Sequence, residues 1–290
     1  MKYGIIASVS SVLFAVMTPA SPQTEIEIDY ETPAFKERIL SSGLVEVSVN
    51  YRPFNYEADE DLKDNLHYQI TYDGTTYINA NTSTFNFGRV WLQDLDSNGA
   101  AEVILTTYSG GAHCCTNFTI YTWLGDRFVS RETGYLNAGG GTFEDLNGDG
   151  KWEFVTSDNS FLYAFSSYAG SYPPSLIYTF NQGELKDVTR KHVSYLKSQA
   201  WQMYQSFLTN QKSDYEINGI LAGYVAQKIL LGEYEEGWNF MLAHYDPTSD
   251  WGLEIYRDNK VVDRYPNFPT ALKAFLIESG YLDRNGQPVP

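Results

Sequence analysis

The sequence predicts an α+β chain of two domains, an all-β domain over residues 24–185 followed by a small, mainly α-helical domain over 186–290. Three observations carry that expectation. Up to about Val188, short runs of β-branched and aromatic residues alternate with Gly, Asn and Asp turn signals. Beyond Gly183 the apolar residues recur at helical spacing instead. Within the first part an acidic segment occurs twice, as DLDSNGAAEVI at 94–104 and DLNGDGKWEFV at 145–155.

The elements follow in order. The first 20 residues carry one basic residue at Lys2, an apolar stretch from Tyr3 to Met17 and small residues at Thr18, Pro19 and Ala20, the layout of a signal peptide cleaved after Ala20. The apolar stretch is shorter than the ~20 residues a spanning helix needs, and Ser8, Ser10 and Ser11 interrupt it. The exported product is therefore expected to begin at Ser21 or within a few residues of it; sequencing the mature terminus checks this, and Met1 retained on protein recovered outside the cytoplasm overturns it.

Strands are expected in VEVSVNY (45–51), HYQITYDGTTYI (67–78), AEVILTTY (101–108), TNFTIYTWLGDRFVSRE (116–132), WEFVTS (152–157) and SLIYTF (175–180). Gly125-Asp126 reads as a hairpin turn. In the second part Val193, Leu196, Ala200, Met203 and Phe207 define one face of a long helix with Thr189 near its start. Further helices are expected at 219–232, 233–245 and 269–279, the last stopping at Gly280, with a small hairpin at 252–265 turning on Asp258-Asn259.

Thirty-six Asp and Glu against 20 Lys and Arg give a net charge of -16. Such a chain repels nucleic acid and anionic lipid surfaces, so neither is an expected partner. No later stretch approaches a membrane span, and the expected location is the periplasm or the cell exterior, with a protein or glycan of the cell envelope as partner.

The spacing of the repeated acids points to a cation. Counting the first aspartate as position 1, side-chain oxygens fall at 1, 3 and 5: Asp94, Asp96 and Asn98, then Asp145, Asn147 and Asp149. Position 6 is Gly99 or Gly150, which permits the sharp turn that folds the oxygens inward. Position 9, Glu102 or Glu153, closes the shell, and the position 7 carbonyl of Ala100 or Lys151 adds a main-chain oxygen. Hard oxygen donors of this number suit Ca2+. Position 12 is Leu105 or Thr156 where an EF-hand needs glutamate, and both loops run into strands. An extra glycine, Gly148, makes the Asp145 loop the stronger expectation of the two; ordinary turn formation is the competing account.

The two copies resemble the FG-GAP/VCBS-type repeat of integrin α-chain propellers and many secreted bacterial proteins. Phe87-Gly88 ahead of the first loop fits the start of such a repeat, whereas the second copy has Ala138-Gly139 there; the similarity covers about residues 85–182. It implies calcium binding at the loops and blade-like sheets in a truncated, propeller-like arrangement. Adhesion does not carry over.

The neighbouring Cys114 and Cys115 lie in YSGGAHCCTNF (108–118). A vicinal disulfide, a redox switch and a buried dithiol are all open to them, the disulfide being the favoured reading. The GGAHCC run is similar to runs beside acidic loops in exported bacterial proteins, which implies no activity. Adjacent residues of a strand point to opposite faces, so His113 and Cys114 do not read as a catalytic pair, and the histidines lack metal-ligand spacing. Tyr163, Phe165, Tyr168 and Tyr172 concentrate aromatic surface that suits a sugar or a peptide, against the plainer account of core packing. The function expected is a calcium-binding interaction module outside the cytoplasm, with no catalytic residue assigned. Its rivals are a hydrolase of cell-wall polymer using Glu144, Asp145 or Glu153, and a structural component of the envelope.

Overall fold

A computed structural model describes residues 24–55, 64–137, 139–211 and 216–290. The expected leader and Ala138 of the second repeat copy lie outside the described residues. A mostly β region precedes a small helical one.

Three sheets form the β region. The first is a meander of β2 (Phe35–Ser42), β3 (Val45–Tyr51), β4 (Leu66–Tyr72) and β5 (Thr75–Thr82). The expected strand at 67–78 is thus two strands. Asp73 and Gly74 both take positive φ, 47° and 72°, the conformation of a tight two-residue hairpin turn. The central sheet holds β1 (Glu25–Ile28), β6 (Gly88–Gln93), β7 (Glu102–Tyr108), β8 (Cys114–Trp123) and β10 (Leu136–Asn137) in the spatial order β1-β6-β7-β8-β10, with β9 (Phe128–Glu132) also paired to β8. The third sheet is another meander: β11 (Thr142–Glu144), β12 (Glu153–Ser157), β13 (Ser175–Asn181) and β14 (Glu184–Asp187).

The central sheet is buried on both faces. Val90, Leu92, Val103 and Leu105 pack with Val47, Val49 and Leu66 of the first sheet. Their neighbours Trp91, Ile104, Phe118 and Ile120 turn the other way, onto Phe154 and Phe180 of the third. Double burial is why RVWL and EVIL read as near-continuous apolar runs rather than alternating ones.

The helical region comprises α1 (Val193–Asn210), α2 (Ile217–Leu230), α3 (Tyr234–His244) and α4 (Phe268–Glu278), with a hairpin of β15 (Glu254–Arg257) and β16 (Lys260–Arg264). Leu196, Ala200, Met203 and Phe207 of α1 are buried as the periodicity requires. Val193 differs: it is the first residue of the helix, beyond the reach of the core, and is 45% exposed. Helix α2 is buried from Asn218 to Ile229, so it lacks a polar face. Its buried Gln227 accepts from Ser175 N at 2.9 Å and donates to Leu196 O at 3.1 Å, which ties β13 to α1 across α2. Gln227→Leu leaves the buried Ser175 N–H without this partner and cuts the tie to α1, and is expected to cost about 1–3 kcal/mol in a urea melt.

The boundary in space differs from the boundary in sequence. Phe161 and Phe165, in the segment between β12 and β13, belong to the helical core with Phe268 and Leu272. Ring pairs of Phe161 and Phe165 with Phe275 at 4.8 and 5.3 Å dock that segment on α4. Among the described residues no helix is long and apolar enough to cross a membrane.

Candidate functional site

Both acidic loops join the first and second strands of a meander: 94–101 connects β6 to β7, and 145–152 connects β11 to β12. In the first loop Asp94 accepts from Asn98 N at 3.1 Å and Gly99 N at 2.8 Å, and Asn98 accepts from Ala100 N at 2.8 Å. These bonds wind the backbone around the aspartate. Glu102 is fully buried; its carboxylate accepts from Leu95 N at 2.8 Å and from the Thr122 hydroxyl at 2.6 Å. One oxygen each from Asp94, Asp96 and Glu102 lies within 4.8 Å of the others.

That cluster has an electrostatic cost. Burial pushes the Glu102 carboxyl up to about 7, against the Thr122 and Leu95 hydrogen bonds that lower it, and Asp96 and Asp94 add repulsion. A carboxylate oxygen has two lone pairs, so the two donors leave room at Glu102 for a cation. The donor set is all hard oxygen, as calcium prefers.

The second loop repeats the winding. Asp145 accepts from Gly148 N at 2.7 Å and Gly150 N at 2.9 Å, and Asp149 accepts from Lys151 N at 2.9 Å. That last bond, ahead of one from Asn147, holds the Asp149 carboxyl below its ordinary value. Glu153 accepts from Leu146 N at 3.1 Å, the counterpart of the Leu95 bond. Its other oxygen faces His192 Nε2 at 4.0 Å. Among the described residues, no acidic trio converges here as it does in the first loop. The extra glycine eased the backbone path, but convergence is best in the first loop, where Thr122 helps to hold the position 9 carboxylate.

The loops also touch. Ser97 Oγ donates to Gly150 O at 2.6 Å, and Trp152 N donates to Leu95 O at 2.9 Å. Sequence reasoning missed Thr122, Ser97 and His192, since none stands in the repeat pattern. Glu153 is only 4% exposed and is turned into its own loop, whereas Glu144 is exposed and accepts from Thr142 Oγ1 at 2.7 Å.

Cys114 and Cys115 are joined as a disulfide across a cis peptide bond. Non-reduced protein is expected to show no alkylatable thiol and to gain about 2 Da in intact mass on reduction. Two thiols reacting before reduction overturn the pairing. Beside the disulfide, His113 stacks on Tyr168 with ring centroids 4.1 Å apart and planes 19° apart. Of the four aromatic residues, Phe165 is corrected to a core residue, because it is 3% exposed and packed on Phe268. Tyr172 is partly buried against the helical core, while Tyr163 is 52% exposed and Tyr168 lies beside His113.

A family model described as the sll0997 C-terminal domain matches residues 196–280, from within α1 to just past α4. The "Probable thylakoid lumen protein sll0997" of Synechocystis sp. (strain ATCC 27184 / PCC 6803 / Kazusa) is 35% identical over 257 residues, covering 84% of this chain and 75% of that protein. This chain belongs to the sll0997 family. The "Uncharacterized protein y4bJ" of Sinorhizobium fredii (strain NBRC 101917 / NGR234) is 32% identical over 191 residues, 62% of this chain but 30% of that protein. No solved structure matches the chain. The match to the Synechocystis relative is too long to lie in the helical region alone, so this family member shares β-region sequence with it as well.

Proposed function

We propose that this sll0997-family chain is an exported, calcium-stabilised interaction module whose acidic loops are the metal sites of two adjacent FG-GAP-type blades. The observation that carries the reading is the convergence of Asp94, Asp96 and Glu102 within 4.8 Å. Its placement supports the blade reading: each loop joins the first two strands of a four-strand antiparallel meander, β6-β7-β8-β9 and β11-β12-β13-β14. The meanders pack face to face through Trp91, Phe118 and Phe154. A cation shared among the first-loop acids offsets their repulsion and lets Glu102 ionise inside the core.

Export is supported by the name of the Synechocystis relative, which places that protein in a thylakoid lumen, a compartment reached by crossing a membrane. The leader-type residues of this chain agree with it. The destination is the periplasm or the exterior.

The test is a calorimetric calcium titration of chelator-stripped protein. At pH 8 the first loop is expected to bind with a dissociation constant near ~0.1 mM, the tight edge of extracellular modules. Asp96→Asn removes that site, Asp149→Asn weakens the second, and magnesium at equal concentration does not replace calcium. No heat and no bound calcium in the wild type overturn the reading.

A further inference from the structure

Away from the acidic loops a cavity of about 1120 Å³ opens between the central sheet and β11. Sheet register lays out its floor. Glu27, Arg89, Thr106 and Phe118 are lateral partners across β1, β6, β7 and β8, and form one row of side chains on one face. Two residues along, Tyr108 pairs with Thr116, while in the other direction Glu25 pairs with Trp91. All of these line the cavity, with Thr142, Glu144 and Trp152 on the facing wall. The stacked His113 and Tyr168 close its rim. The turn carrying His113 is pinned by the Cys114–Cys115 disulfide, by Tyr108 OH donating to Gly111 O, and by Cys115 N donating to Ser109 Oγ at 2.9 Å.

The lining selects a ligand by sign and by polarity. Glu25, Glu27, Asp29 and Glu144 face one guanidinium, Arg89, already paired with Glu25 at 2.6 Å. An anionic ligand meets net repulsion there. Threonine and tyrosine hydroxyls both donate and accept, carboxylates accept, and the aromatic rings offer apolar surface between them. That combination matches a molecule with many hydroxyls around an apolar C–H face. A basic peptide would meet the carboxylates alone, whereas a polyhydroxylated chain also uses the hydroxyls and the aromatic rings laid out on the sheet face, so the lining favours the sugar and makes the peptide the contrast to test.

We propose that this cavity is a binding site for a neutral carbohydrate chain, with His113 and Tyr168 as the aromatic rim. The proposal rests on reading the chain as an interaction module and is independent of calcium. In it the GGAHCC run acquires a task, holding His113 against Tyr168 at the cavity mouth.

The experiment titrates the mature protein with cellohexaose, hexa-N-acetylchitohexaose and maltohexaose by calorimetry and tryptophan fluorescence, since Trp91 and Trp152 line the cavity. Oligogalacturonate and hexalysine serve as contrasts, and every arm is run with calcium and with chelator. At least one neutral hexasaccharide is expected to bind and change the fluorescence. Tyr168→Ala is expected to weaken it about tenfold, and Tyr168→Phe, which keeps the ring, by less than about threefold. Trp201→Ala, on α1 and 60% exposed, is expected to leave binding unchanged. Binding of none of the three neutral oligosaccharides, an equal loss in Tyr168→Phe and Tyr168→Ala, or preferential binding of hexalysine overturns the proposal. Sugar binding that survives in a protein showing no calcium response retires the calcium reading alone.

Discussion

Replacing Phe154 by alanine is expected to lower stability by about 3–5 kcal/mol, the range for removing a large buried aromatic. Phe154 is 2% exposed and sits where the central and third sheets meet. Its ring lies 5.0 Å from Phe118 in an edge-on contact and 5.0 Å from Phe143. Alanine leaves a void between two sheets whose backbones are held by their own ladders, so collapse around it is limited. A melting temperature lower by on the order of 10 °C in a calorimetric scan is the expected readout. Phe154→Leu refills part of the volume and is expected to recover more than half of the loss. Because Phe154 follows Glu153 directly, the alanine variant is also expected to loosen the second loop and to blunt its share of calcium binding. A change below about 1 kcal/mol would mean that the two sheets do not pack as described.

Calcium is expected to give the second largest effect. With a dissociation constant near ~0.1 mM, about 1 mM calcium stabilises the fold by about 1.4 kcal/mol at the first loop, and the second loop, at its best equal to the first, brings the total to at most roughly 3 kcal/mol. The melting temperature is then expected to rise by on the order of 5–10 °C. The first loop should contribute the larger share, and Glu102 makes that share depend on pH. Its folded carboxyl sits at about 7, above its unfolded value, because of burial. In calcium-free protein this group's contribution is therefore fully present below about pH 4.5 and is lost as pH rises through 7, a change of about 3 kcal/mol.

Calcium requires the ionised carboxylate, so its affinity runs the opposite way. Binding at pH 6 is expected to be about tenfold weaker than at pH 8, with proton uptake on release. Glu102→Gln is expected to flatten the calcium-free pH dependence and to abolish the first-loop response together. A melting temperature indifferent to calcium and chelator at pH 8 would leave both loops as ordinary turns.

Much of the fold was legible because its signals are short-range. Apolar spacing located α1, with only Val193 misplaced at its entry, and the ranges expected for the other three helices overlap α2, α3 and α4. Asp258-Asn259 and Gly125-Asp126 marked hairpins because turn chemistry depends on a few adjacent residues. β1, β2, β6, β10, β11 and β14 were not anticipated. Several of these are short or irregular strands that pairing stabilises more than local preference does.

The two-part order, the acidic balance and the twofold pattern of side-chain oxygens at positions 1, 3, 5 and 9 around a glycine at 6 are written in the amino-acid order. Each is a property of neighbours along the chain. Which loop gathers its acids depends on packing, because Thr122, 20 residues from Glu102, supplies a hydrogen bond that holds the buried carboxylate. Packing also brings Ser97 to Gly150 across 53 residues and draws the segment before β13 into the helical core. The cavity lined by His113 and Tyr168 arises likewise, its walls drawn from strands of the central and third sheets. Stacking of sheets is set by mutual burial of faces remote in sequence, and no local pattern of residues encodes which faces will meet.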